Sequence, residues 1–267
     1  MSLSYLFRSL SLGLICLVCS LAAPVWAIDP ADVPNDHRGT FVSCMAKGEF
    51  DPVLALDYAE QWLSSDAGGE PYAFYCLAIA TFRAGDPRRA AEILENISTD
   101  ARFSDTGYAL SLIRSAGDLF DAAGELERAF RAYTKALDID RFEPSIWVDR
   151  ALVRADLGDY EGTVSDLDLA LALDPENVEA LVFRGSTHLA TDDLESAADD
   201  ALQALLIEPF NVPGLWLRAQ IALASGDAEL ASSDLQRIID RDDGQFATLA
   251  REALEVVSRA AQKSTLE

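Results

Sequence analysis

The sequence predicts an all-α protein, a solenoid of stacked helix-turn-helix units. Three observations predict it. Leu and Ala dominate a chain of 267 residues that is 50% hydrophobic, while Pro is sparse and β-branched runs are rare, a composition that favours helix over strand. Turn glycines recur at a spacing of 34 residues or a multiple of it, at Gly124, Gly158 and Gly226, with Asp192 in the missing place. Small apolar residues recur in the same register, which is what two closely approaching helices need.

Residues 1–27 are expected to form a secretory signal peptide. Arg8 supplies a thin positive region. Leu10 to Ala23 is an uncharged, mostly apolar run, too short for a comfortable membrane span. Val25-Trp26-Ala27 offers small or β-branched residues where a signal peptidase reads, so cleavage after Ala27 is expected and an uncleaved anchor is the alternative. Export puts the protein in the periplasm or another extracytoplasmic compartment, with no stable membrane insertion after cleavage. Lipidation is disfavoured, because Cys16 follows Ile15 and Cys19 follows Val18 where a small residue is required. Cys44 and Cys76 remain in the mature chain. They are either a disulfide in an oxidising compartment or two buried thiols on apolar helix faces.

Residues 28–69 are expected to hold a linker and a degenerate helical hairpin. The linker is Asp29 to Arg38, and the hairpin has Phe41 to Lys47, a turn at Gly48, then Pro52 to Leu63. Residues 70–243 carry about five repeat units. Gly117, Ala151, Gly185 and Ala219 form one small-residue column, extended backwards by Ala78. Ala129, Thr163, Ala197 and Ala231 form another, after Ala90, and Ala136, Ala170 and Ala204 a third. Gly85 lies outside strict register, and an insertion within the polar stretch 98–106 accounts for the shift. Pro175 and Pro209 close two units. Residues 244–267 add a capping helix, with Phe246, Leu249, Leu254 and Val257 towards one face.

At these columns the chain resembles the tetratricopeptide repeat (TPR) family. The segment from Trp147 to Pro175 carries the resemblance best, with Trp147, Ala151, Gly158-Asp159-Tyr160, Ala170 and Asp174-Pro175; Thr163 departs from the usual Ala. The resemblance implies a right-handed superhelix whose first helices line a concave groove. It places Tyr72, Tyr75, Ile79 and Phe82 on that groove, then Arg114, Asp118 and Asp121, then Val148, Leu152 and Asp156, then Glu179, Val182 and Leu189, then Trp216 and Gln220. Packing between units is the alternative role for any one of these. The Lys and Asn set by which some relatives grip a terminal carboxylate is absent.

Arg150, Arg184 and Arg218 recur with the same period, as do Asp166, Asp200 and Asp234. Within a unit the two charges are present or absent together, so each Arg is expected to bridge to the Asp on the second helix of its own hairpin. A structural ion pair explains this better than a ligand-binding ladder.

The formal net charge of −24, from 45 acidic and 21 basic residues, argues against nucleic acid, whose phosphates need a cationic surface. The two histidines, His37 and His188, have no nucleophile motif around them, and the sequence offers no phosphate loop, metal motif or cofactor site. A non-enzymatic role follows: a scaffold or adaptor of the cell envelope that binds a protein or peptide in the groove. The alternative is a periplasmic chaperone or assembly factor for exported clients.

Overall fold

A computed structural model describes residues 28–65, 69–104, 108–241 and 244–264. The expected signal segment, 1–27, lies outside them. The described residues form fourteen helices and no strand. The chain divides into two compact units between Val153 and Arg154.

The first unit contains α1 (Asn35–Phe50), α2 (Pro52–Ser64), α3 (Glu70–Arg83), α4 (Pro87–Ile97), a one-turn α5 (Ala101–Ser104), α6 (Tyr108–Ala122) and α7 (Leu126–Ile139). The division falls inside the next helix, α8 (Pro144–Asp156). The second unit continues with α9 (Tyr160–Leu173), α10 (Val178–Ala190), α11 (Leu194–Ile207), α12 (Val212–Ser225), α13 (Ala228–Ile239) and α14 (Gln245–Ser264). Among the described residues no helix is long and apolar enough to cross a membrane.

One turn design recurs through the repeats. Gly85, Gly124, Gly158 and Gly226 adopt positive φ, and Asp192 does so in the place without glycine, at φ 67°. The residue after each donates its N–H to the carbonyl five positions back, as Asp159 does to Arg154 and Asp227 to Ala222, closing the first helix. That residue then starts the second helix. The carboxylates of Asp86, Asp159, Asp193 and Asp227 accept from the N–H of Arg89, Gly162, Ser196 and Leu230. One acidic residue thus finishes one helix and caps the next, satisfying backbone groups at both ends.

Behind each turn the helices cross at small residues. Gly117 has no room for a Cβ, which would lie 2.8 Å from the Tyr133 ring, and one on Gly185 would lie 2.8 Å from Leu217 and 3.0 Å from Asp200. Larger apolar side chains fill the space between hairpins. The first unit buries Phe41, Leu94, Phe103, Ile113, Leu119 and Phe120 in one core. In the second unit Leu205, Leu215, Trp216, Leu235 and Ile238 pack with Phe246 and Ala250 of α14, so the last helix covers the apolar face of the hairpin before it.

Three features depart from the sequence reading. The stretch 98–106 holds the short α5, and its Phe103 is fully buried. Helix α1 runs through Gly48 to Phe50, and Gly48 is buried within it, where a Cβ would make ordinary contacts with the Arg83 guanidinium at 3.4 Å and Ala55 at 3.6 Å. The turn lies at Asp51, whose carboxylate caps α2 through the N–H of Val53 and Leu54. The segment expected to be a solvated linker is anchored at Ile28 and Val33, 6% and 0% exposed, and is helical from Asn35.

The turn geometry gives opposite expectations for two substitutions. A Cβ on Gly124 meets nothing within 4 Å, so Gly124→Ala should lose about 1 kcal/mol purely from the left-handed backbone, while Asp192→Gly should gain up to about 1 kcal/mol. Urea denaturation with unchanged slope would check both signs.

Candidate functional site

The first helices of the hairpins hold the residues expected to line a groove, and their environments differ sharply. In the first unit, α3 carries Tyr72, Tyr75, Ile79 and Phe82 at helical spacing. Tyr75 and Ile79 are buried, at 2% and 3% exposed, while Tyr72 and Phe82 are partly exposed. The Tyr72 ring meets Phe41 of α1 edge-on at 6.2 Å and Phe103 of α5 at 5.4 Å, and Phe103 meets Tyr108 of α6 at 6.2 Å. The inserted helix thus supplies the ring that joins Tyr72 to Tyr108. Burial pushes the phenols of Tyr75, Tyr72 and Tyr108 above their ordinary range, the hydrogen bond to Asp32 adding to the effect at Tyr108, so all three stay protonated at neutral pH.

Further along this face, Arg114 pairs with Asp149 at 2.8 Å, tying α6 to α8. Burial works against the charge on Arg114, but Asp149 and Asp118 beside it hold its pKa above the ordinary value. Asp118 accepts a 2.7 Å hydrogen bond from the Tyr133 hydroxyl of α7. Burial raises the Asp118 carboxyl above the usual carboxylate range, partly offset by that bond and by Arg114. Asp121 and Leu152 are partly exposed, Asp156 is exposed, and Val148 is buried. In the second unit Glu179 is exposed, Leu189 is partly exposed, and Val182, Trp216 and Gln220 are buried. Trp216 packs against Phe246 at 6.1 Å, and the buried Gln220 amide nitrogen has no hydrogen-bond acceptor among the described residues.

The periodic charges sit on the other side of the balance between site and scaffold. Arg184 donates to both oxygens of Asp200, at 3.0 and 2.6 Å, and Arg218 does the same to Asp234, at 2.7 Å each. Asp200 and Asp234 are 4% and 1% exposed. These hydrogen bonds hold both guanidinium groups above their ordinary pKa. Arg184 also reaches Asp168 of α9 at 2.6 Å, and Arg237 reaches Asp234 at 3.1 Å, contacts that no 34-residue column announces. Arg150 lies in the first unit, 3.2 Å from the Thr134 hydroxyl and over the Trp147 and Phe130 rings. Asp166 lies in the second, where Arg154 stands 3.3 Å away.

Cys44 of α1 and Cys76 of α3 are bonded to each other, with Cα atoms 6.3 Å apart, and both are buried. His37 stands beside Asp36 and packs near Trp62, and His188 faces the capping Asp193 at 3.6 Å. Among the described residues no group of three or more His, Cys, Asp or Glu is placed to hold a metal ion.

Sequence reasoning missed Ile28, Val33, Phe103 and Tyr108. A signal existed in part: Ile28 and Val33 are isolated apolar residues among Asp and Pro. No repeat column contains them, so periodicity gave them no weight.

Helical hairpins joined by capped glycine turns and crossing at small residues define the TPR-type solenoid fold, and solved structures share it. MamA 41-end from Desulfovibrio magneticus RS-1 is similar at a TM-score of 0.56 and 14% identity, over 65% of this chain and 95% of that one. YrrB, a TPR protein with an unusual peptide-binding site, is similar at a TM-score of 0.50 and 16% identity, over 67% of this chain and 91% of that one. No protein-family model matches the sequence, and no curated protein does.

Two stability measurements follow. Arg184→Ala should cost about 3 kcal/mol because it leaves the buried Asp200 without its arginine, Asp200→Ala should cost less because Arg184 keeps Asp168, and the double variant should cost less than their sum by about 1–3 kcal/mol. Additive losses would show that the pair is not coupled. Phe103→Ala should cost about 3–5 kcal/mol in thermal or urea melts, a core-sized loss from a segment outside the repeat period.

Proposed function

We propose that the chain is a non-catalytic scaffold or adaptor of the cell envelope, which binds a partner protein through the face formed by α3, α6 and α8. The observation that carries this reading is the mixed character of that face. It combines partly exposed aromatic and aliphatic side chains, Tyr72, Phe82 and Leu152, with Arg114 and the carboxylates of Asp118 and Asp121. Aromatic rings and arginine are frequent energetic anchors in protein interfaces. The rings are held rigid by their neighbours, so little side-chain entropy is lost on binding.

A protein partner suits the chemistry better than the alternatives. The charge of −24 opposes nucleic acid. Peptide binding by YrrB, which has the same fold, lends support by analogy. Export is supported by the apolar segment Leu10 to Ala23 and by the Cys44–Cys76 bond, because disulfides persist in oxidising compartments. The two remaining periplasmic roles, scaffold and chaperone, differ in how many partners they hold.

Affinity capture from envelope extract tests the reading. The wild-type chain should retain one stoichiometric partner, and Phe82→Glu or Leu152→Glu should reduce its recovery about tenfold or more. Leu202→Glu, on an exposed position of α11, should leave it unchanged. Many weak clients would favour the chaperone role, and recovery insensitive to both substitutions would place the contact elsewhere.

A further inference from the structure

The aromatic end of this face already has an occupant. Residues 28–34, Ile-Asp-Pro-Ala-Asp-Val-Pro, lie against it as a short strap. The Ile28 N–H donates to the Tyr75 hydroxyl at 3.4 Å, and the Asp29 N–H to the Tyr108 hydroxyl at 3.4 Å. The Tyr108 hydroxyl in turn donates to the Asp32 carboxylate. Ile28 and Val33 join the core that contains Phe41, Tyr75 and Phe103. Arg38 holds the outgoing end through the carbonyls of Ala31, at 2.7 Å, and Val33, at 3.1 Å.

We propose that this strap is a tethered ligand. It fills a subsite built for a short acidic turn, closed by the Asp32 N–H on the Asp29 carbonyl at 2.9 Å and carrying an apolar anchor at each end, and an external segment of that chemistry binds by displacing it. The contacts identify the ligand class. Two apolar side chains are buried at the ends, one carboxylate meets a phenol, and one backbone N–H meets each of two phenols. The four residues between the anchors, Asp29 to Asp32, are exposed, and Tyr108 and Arg38 hold them by hydrogen bonds while the apolar anchors are buried at the two ends. The inserted α5 serves the same subsite, since Phe103 packs between Tyr72 and Tyr108. The strap contributes no helix to the hairpin stack, and its release uncovers the part of the core that Ile28 and Val33 complete.

A tether gives the strap a high effective concentration, in the millimolar range for short linkers. An external segment therefore sees only the fraction of molecules whose strap is out, and its apparent affinity falls by that fraction. The inference deepens the reading of this face as a partner site, but its test requires no partner.

The probe is the peptide Ile-Asp-Pro-Ala-Asp-Val-Pro, labelled at its C-terminus, titrated by fluorescence anisotropy against the full chain. Val33→Asp removes the buried anchor and should tighten peptide binding about tenfold or more, the gain expected when the strap is seated at least nine-tenths of the time. Asp32→Ala alters an exposed residue outside the core and should tighten binding about threefold. Adding Tyr108→Phe to Asp32→Ala should remove that gain, which assigns the peptide to this subsite. A variant with wild-type circular dichroism and unchanged peptide affinity would overturn the proposal, as would a gain insensitive to Tyr108→Phe. Loss of partner capture in the Phe82 experiment with no effect here would leave the partner site standing without the strap.

Discussion

The structure depends on one steric constraint: the two helices of a hairpin approach so closely that their crossing tolerates little more than a methyl group. At Gly117 even a methyl would collide with Tyr133, and at Gly185 it would crowd Asp200 of the same hairpin and Leu217 of the next. Close approach leaves each hairpin with apolar faces that it cannot cover alone, so hairpins must stack and the last must be covered by a different kind of helix. The glycine turns, the double-duty acidic caps and the Arg–Asp bridges all serve to hold the crossing in place.

The strong negative charge acquires a structural meaning from these details. Asp86, Asp159, Asp193 and Asp227 close turns, while Asp200 and Asp234 are buried partners of arginine. A repeat protein multiplies any local choice by its number of repeats. A turn that favours aspartate therefore adds one acidic residue per repeat, a part of the chain's negative charge that no binding surface selects.

Repetition also set the boundary of what the sequence could disclose. Turn glycines, small-residue columns and the Arg184–Asp200 relation were legible because each recurs, and comparison between units separates such residues from their neighbours. Asp192 was legible as a turn for the same reason, although aspartate alone would not announce a left-handed backbone. Gly48, Phe103, Ile28 and Val33 occur once and have no column. Gly48 suggested a turn because glycine commonly ends helices, yet here it lies buried inside α1, and the turn falls at Asp51. The buried state of Tyr75, Ile79, Val182 and Trp216 was hidden because a first-helix position faces either solvent or the next unit, depending on small rotations that a column does not record.

The bond between Cys44 and Cys76 bears on how such a stack comes apart. One-dimensional assemblies open from their ends, where a terminal hairpin has one neighbour instead of two, and opening propagates inward like a zipper. In the first unit α1, the first helix among the described residues, is fastened to α3, so a thermal excursion that lifts it opens only a closed loop spanning 32 positions of chain. The entropy gained by such an excursion is small, and re-closure is an intramolecular search over a short distance. The least repetitive hairpin, which has the weakest repeat packing signature, is thereby kept from fraying by a covalent stitch.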